Sequence, residues 1–204
     1  FCSGHDLKEM TAARTMADKG HEAYQQLFAA CASVMELIVR NPKPVIAEVA
    51  GTATAAGCQL VASCDLAMAS NTVKFATPGV NLGLFCSTPM VALSRNVSRK
   101  HAMEMLLSGD MVDASRAEQI GLINRAFNPD QLTAETMAMA LKIASKSTMT
   151  IAIGKRAFYE QAEMPLNEAY AYTSQVMTEN MLTRDAEEGI GAFLGKRTPE
   201  WQDQ

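Results

Sequence analysis

Gly51-Thr52-Ala53-Thr54-Ala55-Ala56-Gly57-Cys58-Gln59-Leu60-Val61-Ala62-Ser63 decides the reading of this chain. It follows Val45-Ile46-Ala47-Glu48-Val49, a short apolar run with strand character. Gly51 turns the chain, and Ala55 to Ser63 then reads as a helix of small residues. A helix start presents free backbone N–H groups and a partial positive charge. Small side chains let a ligand come close to that backbone. A second such turn, Phe1-Cys2-Ser3-Gly4-His5-Asp6, also leads into a helix. There Asp6 and Glu9 have capping-box spacing. Two helix starts aimed at one point would make an anion-stabilising pair of donors.

Working outward, Tyr24, Leu27, Phe28, Cys31, Val34, Met35 and Ile38 recur at helical spacing, predicting a helix from Glu22 to Val39. Asn41-Pro42-Lys43-Pro44 ends it, because proline cannot continue a helix. Leu66–Ala69 and Val73–Ala76 read as further short strands. Beyond Thr88 the pattern is helical. Helices are expected over 88–95, 99–108, 114–120, 130–145, 150–161, 166–182 and 184–194, with Pro165 and Gly189 as breaks or soft points. Strands early and helices late predict an α/β fold with a helical C-terminal region. The expected division is 1–127 and 128–204.

The chain has 204 residues, 48% of them hydrophobic and 20% charged, which is globular composition. A net charge of −4 argues against a general nucleic-acid binder. The five cysteines, odd in number and without a CxxC pair, read as reduced thiols of an intracellular protein. No apolar run is long enough to span a bilayer. The chain opens on Phe1, already at a strand end, so a further segment is expected ahead of it. Localisation stays open between a bacterial cytoplasm and a mitochondrion.

FCSGHDLKEM at 1–10, KPVIAEVAGTATAAGCQLVASCDLAMAS at 43–70, FATPGVNLGLFCST at 75–88, GLINRAF at 121–127 and AFLGKRTPEW at 192–201 together resemble the crotonase, or enoyl-CoA hydratase/isomerase, superfamily. The resemblance covers essentially the whole chain. It is strongest to the domain-containing members that lack the usual glutamates. It implies a ββα spiral with a C-terminal helical trimerisation region, and a homotrimer or hexamer. It implies an acyl-CoA thioester as ligand, with coenzyme A entering as part of the substrate and no separate cofactor or metal. The thioester oxygen would be held by the backbone N–H groups of His5 and Ala56. His5, Asp6, Leu7 and Lys8 would line the pantetheine and adenine path, and Lys196 would face the CoA phosphates.

The same resemblance marks a departure. Hydratases carry glutamates at the positions of Gln59 and Gly79. An amide cannot exchange a proton usefully at neutral pH, and a glycine offers only backbone. The expected function is therefore an acyl-CoA-binding protein of the hydratase type, nominally of fatty acid metabolism, with very low true hydratase activity. Two alternatives remain: a binding or regulatory protein without chemistry, and a thioester decarboxylase. Restoring both glutamates should confer some hydration if only the carboxylates are missing.

Other side chains read more plainly. Asp6 is a helix cap. The His5 imidazole is the natural substitute acid or base, although only its backbone N–H is needed and its ring could face solvent. Cys58 and Cys86 read as buried packing residues near Ser87 and Thr88. Asp65 fixes a turn, and His21 and His101 sit on helices away from the chemistry.

Overall fold

The computed structural model describes all 204 residues, in two compact units: Phe1–Val39 with Val45–Thr136, and Arg40–Pro44 with Met137–Gln204. The class is α/β, as the sequence predicts, with ten helices and two small sheets.

In the first unit, α1 spans Leu7–Ala13 and is capped by Asp6, whose Oδ1 accepts from Lys8 N at 2.7 Å. Helix α2 spans His21–Arg40. Tyr24, Leu27, Cys31, Met35 and Ile38 are half-buried, whereas Phe28 and Val34 of the predicted face are exposed and no residue of α2 is fully buried. Its apolar stripe is thus only partly covered. Strand β1 (Ile46–Val49) buries every second residue, as a half-covered strand should. It pairs in parallel with β3 (Leu66–Ser70), which pairs in parallel with β6 (Arg125–Phe127). The Asp65 carboxylate accepts from Val45 N at 2.7 Å and so ties the end of the intervening crossover to the start of β1, twenty positions away, rather than acting within a local turn.

The second sheet is built from β2 (Ala53–Thr54), β4 (Lys74–Ala76) and β5 (Val112–Asp113), with β2 parallel and β5 antiparallel to β4. Cys2 adds a parallel bridge to Ala53. Strands this short carry too few residues to show a period of two, which is why β2, β5 and β6 escape a reading by pattern.

Helix α3 runs Ala56–Ser63, one residue later than expected, because Ala55 adopts φ +51° and ψ −120°. A 3-10 turn spans Pro78–Leu82 and closes at Gly83 with φ +72°, a segment the sequence left unassigned. Helices α4 (Pro89–Asn96), α5 (Arg99–Ser108) and α6 (Ala114–Gln119) complete the unit. Helix α7 (Leu132–Ala144) begins in it. The core gathers Val49, Ala53, Cys58, Val61, Phe75, Leu93, Met105 and Leu122 among others.

In the second unit, α8 (Thr148–Gln161) packs on α9 (Leu166–Met181), and α9 on α10 (Arg184–Leu194). Pro165 does precede a helix. Gly189, expected as a break or soft point, lies inside α10, and a Cβ there would be 3.2 Å from the Trp201 ring. It makes room for the chain's single tryptophan, whose Nε1 donates to Ser145 O at 2.9 Å. The tail is anchored by carboxylates. Asp203 Oδ1 accepts from Thr148 N and Met149 N, capping α8 two residues earlier than predicted. Asp185 accepts from Gln202 N and Asp203 N.

The Glu188 carboxylate takes both Nη atoms of Arg197 and the N–H of Glu200, which holds it down at about 2. Asp185 is lowered as well, first by the Ser147 hydroxyl and then by the tail N–H groups. Both groups are depressed on folding, so their stabilisation is present above the ordinary carboxylate range and is lost as pH falls through it. Trp201 fluorescence is therefore expected to report release of the tail between about pH 5 and pH 2. Glu188→Gln should weaken that acid transition, and a signal that stays flat over the range would count against the anchoring.

Candidate active site

The two helix starts are brought together by backbone pairing. Cys2 N donates to Thr52 O at 3.2 Å, and Thr54 N donates to Cys2 O at 3.0 Å. The Thr54 hydroxyl donates to Ser3 O at 3.2 Å. Residues 1–3 thus lie along β2, and Gly4 arrives at the N-terminus of α3. A Cβ on Gly4 would be 3.0 Å from Ala55 Cβ and 3.2 Å from Ala56 N. With φ +95° and no room, only glycine serves at this point. Gly57 is tighter still: a Cβ there would be 2.0 Å from Cys2 O. Gly57 reads in sequence as one more small residue of a small-residue helix, and nothing local marks the strand that presses on it.

Ala55 shapes the opening of the site. Positive φ in a residue with a Cβ costs of order 1 kcal/mol. The turn is held by Ala55 N donating to Ala76 O at 3.0 Å and by Gln59 N donating to Ala55 O at 3.0 Å. It places Ala56 N at the head of α3, where no carbonyl of the protein accepts from it; His5 N likewise has no protein acceptor. Two free N–H groups beside a helix start can donate to an anionic or polarised oxygen.

The positions where the sequence lacks carboxylates are both buried. Gln59 is 4% exposed. Its Oε1 lies 3.9 Å from the Cys31 thiol of α2, a weak contact. Gly79 sits in the 3-10 turn, and its N–H points at Cys86 Sγ at 3.3 Å. A Cβ on Gly79 would be 2.9 Å from that sulfur, 3.1 Å from Leu84 O and 3.2 Å from Cys86 N. The direction a side chain would take is already filled, mostly by backbone.

His5 departs from the solvent-facing alternative. Its ring packs edge-on to Phe28, with centroids 5.7 Å apart and planes at 72°. Its Nε2 is buried and has no hydrogen-bond partner. Leu7 and Lys8 are exposed on α1, and Asp6 serves as the cap. Burial pushes the Cys58 thiol up to about 12 and raises Cys86, so neither is a ready nucleophile. Ser87 is exposed, and its hydroxyl bonds locally to Phe85 O. His21 opens α2 at the surface, and His101 Nδ1 pairs with Arg116 Nη2 at 3.2 Å. In the second unit, Lys196 follows α10 with φ +53° and an exposed side chain. No helix is long and apolar enough to cross a membrane.

These features define a class. The enoyl-CoA hydratase/isomerase family model matches residues 1–204, and the chain belongs to that family, with the crotonase fold. It is 51% identical over 201 residues to the mitochondrial enoyl-CoA hydratase domain-containing protein 3 of Mus musculus, covering 98% of this chain and 65% of that protein. The chain thus spans just under two thirds of that curated relative. A solved enoyl-CoA hydratase from Mycobacterium smegmatis superposes with a TM-score of 0.93 at 53% identity, over 98% of this chain and 76% of the other. The human enoyl-CoA hydratase domain-containing protein 3 superposes at 0.90 with 50% identity, over 98% and 77%.

Proposed function

We propose that this chain belongs to a protein that binds an acyl-CoA thioester and polarises its carbonyl through the His5 and Ala56 N–H groups. The observation that carries the reading is the pair of free N–H groups at two abutting turns. The names of the relatives add coenzyme A thioesters as the ligand class. In this reading the thioester oxygen sits between the two donors, and charge that develops there as an enolate is stabilised by groups already in place. His5, Asp6, Leu7 and Lys8 flank the entering pantetheine and adenine, and coenzyme A comes as part of the substrate rather than as a resident cofactor. Lys196 serves the CoA phosphates, as an ammonium can.

Hydration needs more than this. One group must orient and deprotonate water, and another must deliver a proton to carbon. Gln59 cannot hold that proton balance, and Gly79 has no side chain, with a Cβ there pressing on Cys86 Sγ at 2.9 Å. Each missing general acid or base costs about 10²–10⁴-fold. The filled space at Gly79 favours a second reading, a thioester-binding protein with a regulatory role and no turnover. We also read the exposed Leu182, Phe193 and Leu194 of the helical unit, at 83%, 81% and 75%, as surface for a homotrimer or hexamer.

Titration calorimetry with butyryl-CoA and a hydration assay on crotonyl-CoA test the main reading together. Binding with hydration at background supports it. Failure to bind any acyl-CoA overturns it, and binding without chemistry on a broad thioester panel moves the conclusion to the second reading.

A further inference from the structure

The reading above leaves the His5 side chain unused. A buried imidazole nitrogen without a partner is an uncommon feature, because buried polar atoms are nearly always hydrogen-bonded. His5 Nε2 is such an atom, on the same residue that offers one of the two free N–H groups. Its position relative to the rest of the site follows from α2. Phe28 meets the His5 ring, and Cys31, three residues further along that helix, meets Gln59. Residues three apart share one helix face. One stripe of α2 therefore covers both the imidazole and the amide that replaces a glutamate. The imidazole and the amide that replaces a glutamate thus meet the same helix one turn apart. Imidazole is the one neutral side chain suited to both taking and returning a proton near neutral pH.

We infer that His5 is a bifunctional residue. Its backbone N–H holds the thioester oxygen, and its Nε2 takes and returns the proton on the carbon next to the thioester carbonyl. This rests on the thioester reading. With the proton on Nδ1, the Nε2 lone pair accepts the α-hydrogen as the C–H bond breaks. The electrons of that bond form the enolate C=C, and the carbonyl electrons move to the oxygen held by His5 and Ala56 N–H. Return of a proton from the imidazolium to the same carbon restores the thioester. No oxidant, reductant or second substrate is consumed. The α-hydrogens of the ligand then exchange with solvent. Histidine replaces a glutamate's function from a different position, which allows Gln59 and Gly79 to be what they are.

The test is solvent exchange at the α-carbon of butyryl-CoA in D₂O, followed by NMR, beside calorimetry on the same samples. The protein is expected to bind butyryl-CoA and to introduce deuterium at that carbon. His5→Gln keeps the backbone N–H; with its affinity read by calorimetry and the ligand at saturation, it should exchange about 10²–10⁴-fold more slowly. His5→Ala should lose exchange likewise and recover part of it when free imidazole is added. Binding by the unaltered protein with no exchange overturns the inference and leaves thioester binding standing. Exchange by His5→Gln at the unaltered rate overturns it too. Absence of binding removes the thioester reading, and this inference with it.

Discussion

Gly57→Ala is expected to cost more than about 2 kcal/mol of stability and to abolish measurable acyl-CoA binding. The substitution adds one methyl group to a helix, where alanine is intrinsically favoured by roughly 0.5–1 kcal/mol. Its neighbour decides the sign. The new Cβ would be 2.0 Å from Cys2 O and 2.6 Å from Cys2 C, both backbone atoms that cannot swing aside. Either α3 shifts or the Phe1–His5 segment lifts off β2. Lifting breaks the Cys2 N to Thr52 O and Thr54 N to Cys2 O bonds and takes His5 N–H away from Ala56. Loss of one such donor alone costs about 10²–10³ in a reaction that depends on it. Gly154→Ala on α8 is the control, since nothing lies within 4 Å of a Cβ there. It should stabilise slightly. Chemical denaturation with calorimetry on both variants checks the contrast, and a stable Gly57→Ala that binds acyl-CoA normally would refute the docking argument.

Restoring the two glutamates is expected to fail. A Gln59→Glu/Gly79→Glu double variant should show crotonyl-CoA hydration no higher than the unaltered chain, together with a marked loss of stability. At position 79 the Cβ alone meets Cys86 Sγ at 2.9 Å and two backbone atoms at 3.1 and 3.2 Å. Trimming the sulfur with Cys86→Ala relieves only the first of these. At position 59 the carboxyl would sit at a 4% exposed site, where the amide's side-chain contact is the Cys31 thiol at 3.9 Å. Burial without a cationic partner favours the protonated form, which cannot act as a base. The departure from the hydratase pattern is therefore built into the packing as well as into the two residue identities. A folded double variant that hydrates crotonyl-CoA about 10²-fold or more faster than the unaltered chain would contradict this.

The legible part of the chain is what local pattern encodes. Helix α2 shows its period over twenty residues, Pro42 and Pro44 mark its end, and Asp6 sits where a cap belongs. The small-residue turns at Gly4 and Ala55–Ala56 also announce helix starts open to a ligand. What resists reading is set by distant partners. Strands of two or three residues have no period. The role of Gly57 depends on Cys2, fifty-five positions away, and that of Gly189 on Trp201. The positive φ of Ala55 comes from bonds to Ala76 and Gln59, not from its own preference. The burial of His5 Nε2 and the plug that Cys86 forms at Gly79 are tertiary facts of the same kind.

The central claim is that two backbone N–H groups grip a thioester oxygen at His5 and Ala56. Infrared difference spectroscopy of butyryl-CoA carrying ¹³C at the thioester carbonyl tests it most directly. The account predicts that the bound carbonyl band moves to lower frequency than in water, because preorganised donors in a dry site polarise it more strongly than solvent does. A bound carbonyl absorbing at or above its frequency in water would contradict it.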